Sequence, residues 1–369
     1  GAAEINLFDG RSDFSLTIYG DDPATVEIDE GLTESESFTL QLFDSSSTEM
    51  FYHEENYWEW KDTQGQFLDL FTPDSILNMV NSLKINQLQV IGSHNSYRMA
   101  PSDTLFMVLE ILAPDLVYAW DYTHITLDDQ FLYYGIRQVE LDVYHDPEGG
   151  LFSTRLGSYM IGDSIYAEID ELDEPGMKIL HFPDIDFETH YFSFKSALEE
   201  IKAWSNTYPL HVPIFILVEA KSEGLEDYAE EYPELLPFLN NFPYPPVIPL
   251  AFDLEALNAL EQEIIDVFGD RMDKIITPDV IRGNYGTLEA AVLDGAWPTL
   301  GESRGKIMFG LDNGGSLMED YMEGYPSLSG RIMFVEANPG TPEAAFLGIN
   351  TPSDKIAVRV SEGYLVRTR

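Results

Sequence analysis

Four short runs hold side chains suited to acid–base and oxygen-ligand chemistry: Ser93-His94-Asn95-Ser96-Tyr97, Glu140-Leu141-Asp142, His181, and Glu219-Ala220-Lys221. Each closes or sits within an apolar run of strand length: Gln87 to Gly92, Gln138 to Val143, Lys178 to Phe182 and Ile214 to Glu219. If these are parallel strands of one barrel, their C-terminal ends open on a common mouth, where two imidazoles, one amide and three carboxylates meet. Glu140 and Asp142 stand two apart on a strand and so project to the same face. Burying two acids together is costly unless a cation compensates. Asn95, Glu140, Asp142 and Glu219 form a hard, oxygen-only ligand set that suits Ca²⁺ or Mg²⁺ better than zinc, and oxygen number and flexibility favour calcium. His94 and His181 then remain for proton transfer near neutral pH, a general acid/base pair for phosphoryl chemistry. Taken singly, either histidine reads as a hydrogen-bonded core residue and the Glu140–Asp142 pair as a salt-bridge network; the gathering of all six points to a site.

The elements that must position these residues follow from the pattern. From about residue 86 onward, apolar strand-like runs alternate with helical patterns, the signature of βα units and a parallel sheet. Beyond the four strands above, Lys306 to Leu311, Arg331 to Glu336 and Tyr364 to Arg367 complete seven candidates. Helices are expected at Phe194 to Trp204, Asp253 to Phe268 and Thr287 to Val292. The fold class is therefore α/β, with a TIM-type (β/α) barrel over 83–369. Before it, residues 1–82 read as a small β-rich module, with strands expected at Phe14 to Tyr19 and Ser37 to Phe43.

Composition limits the partners. The chain has 369 residues, 20 basic against 65 acidic side chains, a net charge of −45, no cysteine, and 13% aromatic residues. Its apolar content of 44% argues for a folded chain and against disorder, which needs low hydrophobicity as well as high charge. Nucleic acid is excluded as a partner, because phosphate binding draws on clustered Lys and Arg. An anionic bilayer is repelled unless divalent cations screen or bridge the surfaces. Without cysteine there is no disulfide, thiolate metal site or cysteine nucleophile. No run approaches the roughly 20 apolar residues needed to span a bilayer. The chain opens on Gly1 rather than Met, which reads as a processed or truncated end.

The segments Leu83 to Tyr97, Gly135 to Val143, Ile179 to Asp186 and Pro213 to Lys221 resemble the Ca²⁺-dependent, phosphoinositide-specific phospholipase C-like phosphodiesterases, in particular their bacterial secreted branch. Gly295 to Glu302, Gly305 to Asn313 and Gly363 to Arg369 extend the likeness. The resemblance implies catalytic histidines at His94 and His181 and Ca²⁺ ligands at Asn95, Glu140, Asp142 and Glu219. It implies attack by the inositol 2-hydroxyl on the adjacent phosphodiester, releasing diacylglycerol and a cyclic inositol phosphate. Lys221 is open to two roles, a contact to the substrate phosphate or a salt-bridge partner. The partner implied is an inositol phospholipid, with peripheral membrane contact and a larger extracellular assembly both open, and a secreted or cell-surface bacterial location.

Two departures matter. Eukaryotic relatives carry paired lysines on the strand matching Lys306 to Leu311, and this chain has none there, so a substrate without added ring phosphates is expected. The family's eighth strand follows the segment matching Tyr364 to Arg369, so a barrel lacking its last strand is expected in this chain. His145 has no counterpart in the pattern and reads as a surface or loop residue. The N-terminal part more weakly resembles β-sandwich modules of secreted Bacteroidota proteins. Two alternatives stand beside the leading one: a glycerophosphodiester phosphodiesterase, disfavoured because Asn95 stands where that family typically has Arg, and an extracellular structural or adhesive protein reusing the barrel.

Overall fold

The computed structural model describes residues 80–368, apart from 237, 238, 240, 241 and 352, together with four short strands between residues 37 and 59. The chain divides into two compact units, Gly1–Leu83 and Lys84–Arg369. In the first, β1 (Ser37–Phe38) pairs antiparallel with β4 (Trp58–Glu59), and β2 (Gln41–Asp44) with β3 (Glu49–Tyr52). The strand expected at Phe14 to Tyr19 lies outside the described residues.

The second unit is built on a sheet of five strands: β5 (Gln138–Asp146), β6 (Gly176–Ile179), β7 (Ile214–Lys221), β8 (Ile307–Leu311) and β9 (Met333–Val335). Their order is β6-β5-β7-β8-β9, and β5 through β9 without β6 run parallel. A second parallel pair, β10 (Phe346–Gly348) and β11 (Leu365–Arg367), joins this array through a bridge from Glu336 to Phe346. At the opposite side Gly92 bridges in parallel to Gln138. The segment expected as the first strand, Gln87 to Gly92, contributes only that bridge, and its beginning is a 3₁₀ turn, Ile85–Gln87. β10 was not expected; three residues are too few to leave a readable alternation.

The array curls strongly. The Phe215 ring on β7 meets the Phe346 ring on β10 with centroids 4.9 Å apart, across the two intervening strands. Gly310 on β8 makes room for this, since a Cβ there would stand 2.6 Å from the Phe215 ring. Arg367 at the end of β11 reaches Glu140 on β5. The hydrogen-bonded ladder nonetheless does not close among the described residues: β11 pairs only with β10, no ladder joins it to the segment before Gly92, and the two flank a cavity of about 760 Å³. Of the TIM-type barrel expected to lack its last strand, the structure shows a mixed α/β fold around a curled parallel array that stays open among the described residues.

One strand runs against expectation. β6 is antiparallel to β5, pairing Asp146 with Gly176 and Val143 with Ile179. β5 continues three residues past Val143, and the chain then returns down its flank, so His181 comes back toward the level of Asp142. An apolar run fixes burial, not direction, so its pattern could not reveal this.

Helices cover the outer face. Phe194–Thr207 starts at Ser193, whose hydroxyl accepts from the Ser196 amide, and buries Phe194, Ala197, Leu198, Ile201 and Trp204 at helical spacing. Leu254–Phe268 starts at Asp253, whose carboxylate accepts from the Ala256 amide, and buries Leu257, Leu260, Ile264 and Phe268. Each such aliphatic or aromatic side chain contributes roughly 1.5–3 kcal/mol on leaving water. Val139, Leu141 and Val143 of β5 alternate with Glu140 and Asp142, so the apolar and acidic sets face opposite sides of the strand.

His211 ties the first of these helices to the base of β7. With Nδ1 donating to the Val212 carbonyl at 2.7 Å, Nε2 accepts from the Ser205 hydroxyl at 2.8 Å, and burial pushes its pKa from 6.5 down to about 4. Because His211 takes up a proton on unfolding throughout that interval, its contribution is present above pH 6.5 and lost as pH falls toward 4. The shift corresponds to roughly 3 kcal/mol. Denaturant unfolding of wild type and His211→Gln at a series of pH values should show their stability difference shrinking across this window; a constant difference would contradict the assignment.

Candidate active site

The loop after Gly92 is stapled to β5. The Ser96 amide donates to the Glu140 carbonyl and the Glu140 amide donates back to the Ser96 hydroxyl, at 3.0 and 2.9 Å. Gln130 holds the same turn, accepting from Ser93 and donating to the Ser96 carbonyl. Asn95 sits at the tip with φ +48°, a left-handed conformation that Asn tolerates better than most residues. Its Nδ2 donates to the Tyr122 hydroxyl at 3.1 Å, which leaves Oδ1 as the ligand atom.

His94, Asn95 and His181 line one cavity of about 770 Å³, walled by Trp120, Tyr122, His124 and Tyr134. The two histidines are held differently. His181 Nδ1 lies 2.5 Å from Asp186 Oδ2, and Trp120 meets its ring edge-on with centroids 5.7 Å apart. Asp186 is fully buried and receives two bonds from the Arg98 guanidinium, at 2.8 and 3.0 Å. Arg98 also donates to the Tyr122 carbonyl and stacks 4.4 Å from the Tyr122 ring centroid. With Nδ1 engaged by Asp186, Nε2 of His181 is the nitrogen that can exchange a proton in the cavity. His94 is half exposed and places Nε2 3.2 Å from Glu140 Oε1.

The carboxylates gather on the inner face of the array. Asp142 and Glu219 are register partners across β5 and β7. Ligand oxygens of Glu140, Glu219 and Asp312 all lie within 4.8 Å of one another. Asp142 is buried with neither oxygen hydrogen-bonded, and burial pushes its pKa up to about 8 despite the opposing charge of Lys221. These are the marks of a cluster that fits a divalent cation: a hard oxygen set and a buried carboxylate whose charge the one nearby ammonium does not fully offset. Of the four ligands expected, Glu140 and Glu219 gather with Asp312, Asp142 stands beside Glu219 by strand register, and Asn95 lines the histidine cavity instead.

Lys221 lies away from the cavity lining. Its ammonium stands 3.4 Å from Asp142 and 3.7 Å from Glu219. Burial opposes its charge, but those two carboxylates outweigh that and raise its pKa. His145 stacks against Phe252 with centroids 6.0 Å apart and also lies outside the cavity.

The sequence of a family described as Ca²⁺-dependent phosphoinositide phospholipase C matches residues 83–369. The chain belongs to that family. Its members are enzymes, and calcium is their cofactor. Among solved structures, the chain is similar to the calcium-dependent phosphoinositol-specific phospholipase C of a Pseudomonas species, at 14% identity over 79% of this chain and 85% of that one, with a TM-score of 0.44. A Ca²⁺-dependent phosphatidylinositol-specific enzyme from Streptomyces antibioticus gives 14% identity, 77% and 82% coverage, and a TM-score of 0.42. No match was found among curated protein sequences.

Sequence reasoning did not single out Asp186, Arg98, Tyr122, Asp312 and Arg367, which the structure places in contact with the candidate residues. Two carried a signal: Arg98 directly follows the Ser93–Tyr97 run, and Asp312 directly follows a strand, where the mouth of a parallel array lies. Asp186→Asn should lower turnover about 10²–10⁴-fold by releasing the His181 tautomer. It should also lower the melting temperature, because the buried Arg98 charge loses its partner. His181→Ala should lose activity while keeping the Arg98–Asp186 fork and most of the stability. Equal melting losses in the two variants would refute the division of roles.

Proposed function

We propose that this chain cleaves phosphatidylinositol-type phosphodiesters in a calcium-dependent reaction, giving diacylglycerol and a cyclic inositol phosphate. The observation that carries this reading is the placement of His94, Asn95 and His181 on one cavity, with Glu140 joined to it through His94. Calcium, when bound by Asn95, Glu140, Asp142 and Glu219, supplies acidity to the inositol 2-hydroxyl and neutralises charge on the phosphoryl oxygens. The hydroxyl oxygen gives its proton to a carboxylate of the cage and attacks phosphorus, and the bond from phosphorus to the glycerol oxygen breaks. His181, oriented by Asp186, returns a proton to that leaving oxygen, and His94 contacts the phosphoryl group beside Glu140.

The residues lining the cavity include no lysine or arginine. A ring bearing extra phosphates would find no cation there, so the substrate is an inositol without them. With Ca²⁺ present, product release from phosphatidylinositol should exceed that from its bisphosphate and from soluble glycerophosphodiesters, and a chelator should abolish it. Faster turnover of the glycerol compounds would favour the glycerophosphodiesterase reading.

The reading also accounts for a partly exposed apolar helix that precedes the cavity-lining Ala119 and Trp120 in the chain. Asp103–Leu112 buries Leu105 and Leu109 but exposes Met107 and Ile111, and Tyr118 is exposed just before Trp120 of the cavity wall. From Arg98 to Arg137 there is no basic residue between. We assign this face to contact with the uncharged region of a lipid surface, where the substrate's acyl chains lie. Met107→Asp combined with Ile111→Asp should weaken binding to phosphatidylcholine vesicles and slow cleavage of vesicle-borne substrate, with little change on a short-chain monomeric one. Equal losses on both substrates would overturn the assignment.

A further inference from the structure

Each of the three carboxylates in the calcium cage already meets a permanent cation. Lys221 serves Asp142 and Glu219, at 3.4 and 3.7 Å. Arg367 serves Glu140, with Nη2 2.7 Å from Oε2. Arg367 also forks onto Asp312 at 2.8 and 3.3 Å and stands 3.4 Å from Glu336 Oε1. Its side chain is only 8% exposed, and a guanidinium does not shed its proton in proteins. Arg367 lines the seam cavity and not the cavity of His94 and His181. A role on the substrate ring therefore has no geometric support, whereas a role on the carboxylates does.

The affinity of an oxygen cage for calcium follows the charge of its ligands. Glu140, Asp142, Glu219 and the neighbouring Asp312 bring four negative charges, one fewer while Asp142 keeps its proton, and Lys221 with Arg367 returns two positive ones. A divalent ion entering this cage sits beside two charges of its own sign. Arg367 cannot withdraw without leaving Glu140, Asp312 and Glu336 to repel one another in a buried place.

We propose that Arg367, with Lys221 on the other side of the cage, is a built-in counter-cation that holds the carboxylates together before the ion arrives and weakens their grip on it afterwards. The consequence is a calcium response confined to calcium-rich surroundings, with a dissociation constant of about 10⁻⁴–10⁻³ M. The inference rests on the cage reading given above. Arg367 is thus a positioning residue acting through Glu140 and Asp312, not a catalytic residue.

Calcium titration calorimetry of the full chain tests it, alongside melting temperatures in chelator and in saturating calcium. Arg367→Gln should bind Ca²⁺ at least about tenfold more tightly than wild type. In chelator it should melt lower than wild type, and its gain in melting temperature on adding calcium should be larger. Arg367→Lys, which keeps the charge, should stay near the wild-type affinity. Where Arg367→Gln does not fold, Lys221→Gln must show the same tightening. Affinity unchanged or weakened in the neutral variant overturns the proposal. Failure of the cage itself would look different: no calcium binding in wild type or in any variant, and no effect of Glu219→Gln.

Discussion

The inner face of the parallel array carries more negative charge than a buried surface tolerates unaided. Glu140, Asp142, Glu219, Asp312 and Glu336 come from four successive strands or the residues just after them, and Glu140, Asp142 and Asp312 are largely buried. Carboxylates so placed either protonate, pair with cations or bind metal. This protein uses Lys221 and Arg367 for part of the charge, and the calcium its family depends on is proposed to take more. The register pairing of Asp142 with Glu219 and the curl that carries Arg367 back to Glu140 are both conditions of that balance.

The wall that carries the histidines is fixed by a second set of buried charges. Arg98 is its hub: one guanidinium holds Asp186, the backbone of Tyr122 and the Tyr122 ring. Through Asp186 it reaches His181, and through Tyr122 it reaches Asn95. The proposed acid–base residue and one proposed ion ligand are thereby oriented from the same buried point. His94 differs in being half exposed and tied to the cage through Glu140, which suits a group meeting the substrate's phosphoryl oxygens. The two histidines therefore offer unlike nitrogens to one cavity, one backed by a buried acid and one by a cage carboxylate.

The surface reflects the same economy of charge. A net charge of −45 disfavours approach to an anionic membrane, and the helix Asp103–Leu112, proposed as the lipid contact, exposes Met107 and Ile111.

Much was legible in the sequence because it is local. Continuous apolar runs marked β5, β7, β8, β9 and β11, and helical spacing marked Phe194–Thr207 and Leu254–Phe268, since burial on a strand or helix imposes a period on neighbouring residues. The two-residue spacing of Glu140 and Asp142 likewise fixed their common face. The antiparallel course of β6, the bridge-only first segment and the seam beside β11 left no such period, because direction, pairing and closure depend on partners elsewhere in the chain. The same holds for Arg98 with Asp186 and for Arg367 with Glu140, which lie 88 and 227 positions apart. Residue types and alternation decided what chemistry the chain carries; only the folded array decided which charges share a site, since electrostatic interaction depends on distance in space and not on distance along the chain.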